Sequence, residues 1–350
     1  MDDRILVTTW LEPELVERIR HAAGPVPVVH EPELLRPPRY AADHSGAPRE
    51  RTAEQEARWR DHLGRATILF DFDPTHREDL PERAPHVRWV QATSAGIGPF
   101  VRRMGYAERM PDTVFTTASG VHARPLAEFA ALAMLAESRG LRRIQEAQRR
   151  RHWERYAGTD LAGRTVLVVG MGSIGQEVGR VARGLGMSVL GIKRRPEGVA
   201  PASVHADELG ALRDLPAFLP RAEVVVLATP HTDETEGMMG EEELDMLPQG
   251  ALLINVGRGS LVDESALVRS LEPPPGGTGR LAAAWLDVFE TEPLPHESPL
   301  WDLPNVVVSP HSAATSDREN ERIVELFCEN LRRDRAGEPL LNVLNPERLY

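Results

Sequence analysis

A glycine-rich turn that joins a short apolar segment to a helical pattern constrains the fold of this chain most. The segment reads TVLVVG and ends at Gly170, and the turn continues through Gly172 and Gly175. In such a turn the first glycine permits a tight bend, the second lets backbone approach a pyrophosphate, and the third allows close helix–strand packing. Backbone N–H groups near Ser173 and Ile174 would face the anion. The pattern predicts a Rossmann-type domain that binds a dinucleotide, with a purely structural glycine turn as the alternative.

The residues after the next predicted strand bear on which dinucleotide is bound. The strand SVLGI is followed by Lys193, Arg194 and Arg195, where an NAD site usually places a carboxylate that accepts from the ribose 2′-OH. A carboxylate would repel a 2′-phosphate, whereas a guanidinium can bind it through two hydrogen bonds. The sequence therefore favours NADP(H), with Lys193 and Arg194 as contacts. It leaves open that these cations are only solvated and that NAD(H) is accepted.

Apolar segments separated by helical patterns occur in two series, which predicts βαβ units and two doubly wound parallel α/β sheets. The first series has predicted strands at residues 4–10, 26–29, 66–72 and 87–93. The second has them at residues 165–170, 188–192, 224–230, 251–257, 281–288 and 305–311. The second series is almost continuously apolar, which is typical of strands covered on both faces.

Four other stretches have distinct patterns. Residues 30–50 are rich in proline and charge without a period, which predicts a surface insertion or lid-like loop whose Tyr40 or His44 could reach a ligand. Residues 123–153 predict one long helix, apolar first and basic later, as a subunit contact or a linking helix. Residues 273–279 predict a flexible connection, and residues 317–337 an amphipathic helix.

Length, charge and cysteine content exclude several classes of function. The chain has 350 residues, which indicates two domains, and no apolar stretch reaches the roughly 20 residues of a membrane span. A net charge of −12 argues against nucleic acid or anionic membrane as a partner. The start MDDRILVTTW lacks signal-peptide features. Because Cys328 is the only cysteine, no intrachain disulfide forms, and a cytoplasmic location is expected.

Three chemically competent side chains follow strands of the second series. They are Arg258 in INVGRGSL, Glu292 in DVFETEP and His311 in VVSPHSAA. Ligands of open α/β sheets gather beyond the carboxyl ends of the strands, so these residues could converge there. Each also has an ordinary alternative, as a surface charge, a loop carboxylate or a helix-capping residue.

Six motifs in order make almost the whole chain resemble the D-isomer-specific 2-hydroxyacid dehydrogenase family, in particular its glyoxylate and hydroxypyruvate reductases. They are SAGIG at 94–98, the glycine turn, ATPHTDETEGMM at 228–239, NVGRGSLVDESAL at 255–267, DVFETEP at 287–293 and SPLWDLPNVVVSPHSAA at 298–314. The resemblance implies that Arg258 binds the substrate, that His311 exchanges the proton and that Glu292 supports His311. A guanidinium can hold a carboxylate through two hydrogen bonds, and histidine exchanges protons near neutrality.

The resemblance implies further contacts, none of them to a metal ion. On the substrate side they are the backbone of Ser94, Ala95 and Gly96, the side chains of Arg258 and His311, and Trp301 unless Trp301 packs in the core. On the cofactor side they are Thr229 and Pro230 at the adenosine, Asp287 at the carboxamide, and Val256, Arg258, His311 and Ala313 at the nicotinamide end.

The resemblance also implies a layout and an activity. A Rossmann NAD(P)-binding domain at residues 121–312 would be inserted into a flavodoxin-like substrate domain formed by residues 1–120 and 313–350. The expected reaction moves hydride between the nicotinamide and C2 of a small 2-keto or D-2-hydroxy acid, such as glyoxylate or hydroxypyruvate. A homodimer is expected, with residues 126–135 as a contact. The alternative is an NAD(P)(H)-sensing, corepressor-like binding protein with little turnover, against which the complete Arg–Glu–His set argues.

Overall fold

The computed structural model describes residues 3–272 and 279–345. The chain divides into two compact units, one formed by Met1–His122 with Thr315–Tyr350 and the other by Ala123–Ala314. Each unit has its own all-parallel sheet, which confirms the predicted fold class. The flexible connection predicted at 273–279 falls almost wholly outside the described residues. Within the described ranges, no helix is both long enough and apolar enough to cross a bilayer.

The first unit is built on a five-stranded sheet in the order β2-β1-β3-β4-β5. Its strands are β1 (Ile5–Val7), β2 (Val28–Val29), β3 (Ile68–Phe70), β4 (Trp89–Gln91) and β5 (Val114–Thr116). Its helices are α1 (Pro13–Ala23), α2 (Ala53–Arg65), α3 (Leu80–Arg83), α4 (Gly98–Arg103), α5 (Tyr106–Arg109) and the terminal helix Glu319–Ala336. The strand order reverses between β1 and β3, which is the position where open parallel sheets form a ligand crevice.

Alternating side chains of these short strands enter two separate cores. Ile5, Phe70 and Trp89 pack on one face with Phe327 of the terminal helix. Leu6 packs on the other face with Trp59 of α2. Because both faces are covered, every residue of β1, β3 and β4 is buried.

The second unit is built on a seven-stranded sheet in the order β12-β11-β10-β9-β6-β7-β8, a Rossmann arrangement with one added strand. Its strands are β6 (Thr165–Val169), β7 (Ser188–Ile192), β8 (Glu208–Gly210), β9 (Val224–Leu227), β10 (Ala251–Asn255), β11 (Leu281–Leu286) and β12 (Val306–Val308). Its helices are α6 (Ala123–Arg139), α7 (Leu141–Arg149), α8 (Ser173–Gly184), α9 (Leu215–Phe218), α10 (Glu241–Met246) and α11 (Glu264–Leu271). The terminal helix Glu319–Ala336 is therefore α12.

The structure corrects two predictions about local elements. The single helix predicted at 123–153 is wrong, because Gly140 adopts a left-handed φ of 64° and separates α6 from α7. The stretch 30–50 is also more than a surface loop: it contains a 3₁₀ turn at Pro32–Leu34 and buries Leu34, Leu35 and Asp43. Strands β5 and β8 were not predicted.

Candidate active site

The three glycines of the turn have the separate roles that the motif predicts. Gly170 has a φ of 106°, and a Cβ there would lie 2.7 Å from the carbonyl of Ala228. A Cβ on Gly175 would lie 2.1 Å from the Gly170 oxygen, so α8 packs directly on the turn. Gly172 is exposed, and a Cβ there would meet nothing within 4 Å. The turn therefore presents open backbone at the start of α8, which suits a pyrophosphate.

The loops after β9 and β10 lie against each other on the same edge of the sheet. A Cβ on Gly257 would lie 2.8 Å from the Thr229 oxygen, so the backbones after the two strands are in contact. Thr229 is partly buried, Pro230 is exposed and Val256 is buried. The predicted adenosine and nicotinamide contacts therefore share one edge with the glycine turn.

The cations that follow β7 stand beside the glycine turn. The ammonium of Lys193 donates to the Met171 carbonyl at 3.1 Å, and Met171 lies between the first two glycines. Arg194 and Arg195 are exposed. Because this strand end carries cations and no carboxylate, its charge suits a phosphate group.

Asp287 fastens the loop that carries the predicted catalytic histidine. Its side chain is buried, and its Oδ1 accepts from the Ser309 hydroxyl at 2.5 Å. The same oxygen accepts from the backbone N–H groups of Ser312 and Ala313, each at 2.9 Å. Asp287 therefore holds the chain on both sides of His311, and the bond from Ser309 was not predicted from the sequence.

His311 and Glu292 form a directly bonded pair. His311 Nδ1 and Glu292 Oε2 are 2.8 Å apart, and Glu292 Oε1 accepts from the Phe289 N–H at 3.1 Å. His311 adopts a φ of 53°, a conformation that costs about 1 kcal/mol or more and is concentrated at functional sites. Both side chains are partly exposed. The pair therefore leaves the second ring nitrogen of His311 to serve a substrate.

Arg258 lies close enough to this pair for its charge to interact with that of Glu292. Burial lowers the pKa of the Arg258 guanidinium from its usual range, and the charge of Glu292 opposes that shift. Its Nη1 donates to the carbonyl of Gly257 at 2.7 Å. A guanidinium stays protonated throughout the physiological range, so Arg258 offers a fixed cation beside Glu292.

Gly259 explains why the loops of Arg258 and Glu292 come together. A Cβ at Gly259 would lie 1.9 Å from the Phe289 carbonyl, so only glycine lets the loop after β10 touch the loop after β11. This role of Gly259 was not predicted from the sequence. The two glycines that flank Arg258 were the available signal.

The remaining predicted substrate contacts are the loop after β4 and Trp301. Ser94 and Gly96 are exposed in the loop after β4 of the first unit, and the Ser94 carbonyl accepts from the Ala118 N–H at 3.1 Å. Ala95 between them is partly exposed. Trp301 is 50% exposed, and its Nε1 donates to the Pro295 carbonyl. Core packing is therefore the wrong reading of Trp301.

A Rossmann unit with an arginine and a glutamate–histidine pair at its strand ends defines a nicotinamide-dependent oxidoreductase. The model of the D-isomer specific 2-hydroxyacid dehydrogenase NAD binding domain matches residues 131–313. The glyoxylate reductase of Korarchaeum cryptofilum is 36% identical over 293 residues, which cover 81% of this chain and 83% of that enzyme. The chain belongs to the D-isomer-specific 2-hydroxyacid dehydrogenase family.

Solved structures agree with this assignment. A family member from Aeromonas salmonicida has a TM-score of 0.78 and 28% identity, over 99% of both chains. A member from Xanthobacter autotrophicus, in complex with NADPH and MES, has a TM-score of 0.75 and 29% identity over the whole of both chains. The predicted family and enzyme class are confirmed: the chain is an NAD(P)-dependent oxidoreductase that acts on 2-hydroxy and 2-keto acids.

Proposed function

We propose that the chain reduces small 2-keto acids, such as glyoxylate or hydroxypyruvate, to D-2-hydroxy acids with NADPH. The observation that carries this proposal is the 2.8 Å pair of His311 and Glu292 beside the cation of Arg258. Glu292 orients the imidazole through this contact, so that His311 can give a proton to the C2 oxygen. Arg258 binds the substrate carboxylate and polarises the C2 carbonyl. A bound nicotinamide supplies the hydride.

The preference for NADP(H) rests on the strand end after β7. Lys193 and Arg194 stand there without a carboxylate that would repel a 2′-phosphate. The relative from Xanthobacter autotrophicus was solved with NADPH. Replacement of Arg194 by Asp should shift the ratio of kcat/KM for NADPH over NADH by about tenfold or more toward NADH. Equal ratios in the parent and variant would refute this contact.

The remaining assignments follow the family resemblance. Residues 121–312 would form the cofactor domain, and residues 1–120 with 313–350 the substrate domain. The backbone of Ser94, Ala95 and Gly96 would hold the substrate carboxylate, and the exposed Trp301 would lie near the substrate. Asp287, Val256 and Ala313 would receive the nicotinamide, and Thr229 and Pro230 the adenosine.

A homodimer in the cytoplasm is the proposed state of the protein. Leu132, Leu135 and Ile144 are exposed on α6 and α7, and apolar surface of this kind marks an interface. The lone Cys328 suits a reducing compartment.

A panel of 2-keto acids with NADPH, followed by the loss of nicotinamide absorbance, tests the activity. His311→Ala and Arg258→Ala should lower kcat/KM by about 100-fold or more, while NADPH binding measured by fluorescence titration persists. Near-normal kcat/KM in either variant would show that the roles are wrong. NADPH binding by the parent protein without turnover of any acid would instead favour the nucleotide-sensing alternative.

A further inference from the structure

The carboxyl edge of the five-stranded sheet carries a second polar cluster, within the first unit. The strand order reverses between β1 and β3, and a crevice forms at such a reversal. Asp71 directly follows β3, and Thr8 and Thr9 directly follow β1. The Thr8 hydroxyl donates to the Asp71 carbonyl at 2.9 Å, and the Thr9 hydroxyl to the His44 carbonyl at 3.3 Å. Asp71 and His44 are therefore both tied to this reversal point.

Asp71 adopts a left-handed backbone conformation. Its φ is 70°, and its carboxylate accepts from the Thr93 hydroxyl at 2.9 Å. Burial raises the pKa of this carboxyl, while the charge of His44 opposes the shift. Backbone strain of this kind is concentrated at ligand sites. The fold therefore maintains a strained acceptor group at the ligand edge of the sheet.

His44 brings an imidazole whose hydrogen-bonding capacity is unused. Both of its ring nitrogens are buried and make no hydrogen bond within residues 3–272 and 279–345. Its Nε2 lies 3.5 Å from Glu319 Oε1, and His122 Nε2 lies 3.3 Å from the same oxygen. Glu319 is buried, and its Oε2 likewise has no partner among the described residues. Unpaired buried groups cost free energy, so a ligand that hydrogen-bonds to them is stabilised.

The cluster also stands next to the loop proposed to hold the substrate carboxylate. Thr93, which bonds to Asp71, is followed at once by Ser94, Ala95 and Gly96. The cluster therefore adjoins this loop through Thr93.

The charges of the cluster decide which substituent fits. A second carboxylate has no hydrogen to donate to the Asp71 carboxylate, and repulsion between the two like charges opposes its binding. A hydroxyl group can donate to the Asp71 carboxylate, which can accept more bonds than the one from Thr93, and it can accept from a ring nitrogen of His44, which has no partner among the described residues. Pyruvate, whose C3 is a methyl group, would make no hydrogen bond to Asp71 and would leave the ring nitrogens of His44 unpaired.

We infer that Asp71 and His44 form a subsite for the C3 substituent of the 2-keto acid, which selects a hydroxyl group and rejects a carboxylate. This inference rests on the proposed 2-keto acid reductase activity. It makes hydroxypyruvate a better substrate than pyruvate or oxaloacetate.

The test compares kcat/KM for hydroxypyruvate, pyruvate and oxaloacetate, with NADPH, in the parent protein and in Asp71→Asn. Asparagine is nearly isosteric, and it replaces the charged acceptor by an amide. The hydroxypyruvate-to-pyruvate ratio should fall by about tenfold and the oxaloacetate-to-pyruvate ratio should rise by about tenfold. A loss of folding quality alone would scale all three acids together and leave both ratios fixed.

Asp73→Asn is the matched control in the same loop. The Asp73 carboxylate is fully buried and accepts from the Trp59 Nε1 at 3.0 Å, so both ratios should stay at the parent values. His44→Gln provides a second variant and should lower the hydroxypyruvate-to-pyruvate ratio in the same direction. Pyruvate turnover with unchanged ratios in Asp71→Asn would overturn the subsite, as would a parent protein that prefers oxaloacetate. Failure to reduce any acid would instead overturn the proposed activity.

Discussion

At the scale of single residues, Gly175 is expected to be needed for stability and Gly172 for cofactor binding. Gly175→Ala places a methyl group 2.1 Å from the Gly170 oxygen, which should lower the free energy of unfolding by about 2 kcal/mol or more. Gly172→Ala meets nothing within 4 Å and should leave the stability of the free protein almost unchanged. Its methyl group would instead crowd the pyrophosphate and weaken NADPH binding by about tenfold. Denaturant unfolding and NADPH titration of both variants check the pair, and equal stability losses would contradict it.

His30 makes the stability of the protein depend on pH. Burial, with help from the charge of Arg20, lowers the pKa of His30 from 6.5 to about 4, and its Nε2 accepts from the Leu11 N–H. Because the folded pKa lies below the unfolded one, this stability is fully present above about pH 6.5 and is lost as pH falls toward 4. Between these limits the parent protein should lose about 2 kcal/mol more than His30→Gln. Urea unfolding at each pH measures this loss. If both proteins lose the same free energy of unfolding between pH 6.5 and about 4, the prediction is wrong.

The sequence predicted three charged residues at the strand ends but missed the residues that position them. Arg258, Glu292 and His311 were found because charged side chains after buried strands gather at one edge of a sheet. Gly259 and Ser309 were missed because close contact between two loops, and a bond back to Asp287, leave no local pattern. Asp71 was missed for the same reason: its positive φ is imposed by the tertiary fold.

At the scale of elements, Gly140 sets the boundary between α6 and α7. Its φ of 64° is left-handed, yet a Cβ there would lie 3.5 Å from Tyr156 Cε2, an ordinary contact. Gly140→Ala should therefore destabilise through backbone strain alone, by about 1 kcal/mol. Gly184→Ala, on the open surface of helix α8, should instead stabilise by about 0.5 kcal/mol. Thermal unfolding of both variants measures the difference, and two shifts of the same sign would be the contrary result.

Element types followed from the sequence more reliably than element boundaries. The buried strands of the second series are continuous apolar runs, so β6, β7, β9 and β10 were all predicted. The helical period of residues 123–153 continues through Gly140, so no periodic signal marks the break there. The short edge strand β8 reads Glu208–Gly210, and three residues with one apolar side chain carry no alternation.

At the scale of the whole molecule, exposed apolar surface is concentrated in one stretch of chain. Six of the ten large apolar side chains that are exposed in the described residues lie between 132 and 156. Leu132 and Leu135 are one turn apart on α6, and Leu141 and Ile144 one turn apart on α7. Such a concentration is unusual for a monomer and favours an interface between copies of the chain.

A charge placed in this surface should disrupt that interface. Leu132 is 51% exposed in the single chain, so Leu132→Glu costs little within one chain but would bury an unpaired carboxylate in a dimer. Sedimentation velocity at micromolar concentration should give a dimer for the parent protein and a monomer for Leu132→Glu. Val114→Glu, which alters an exposed apolar residue of the first unit, should stay dimeric. A monomeric parent protein, or a dimer that survives Leu132→Glu, would remove this surface as the contact.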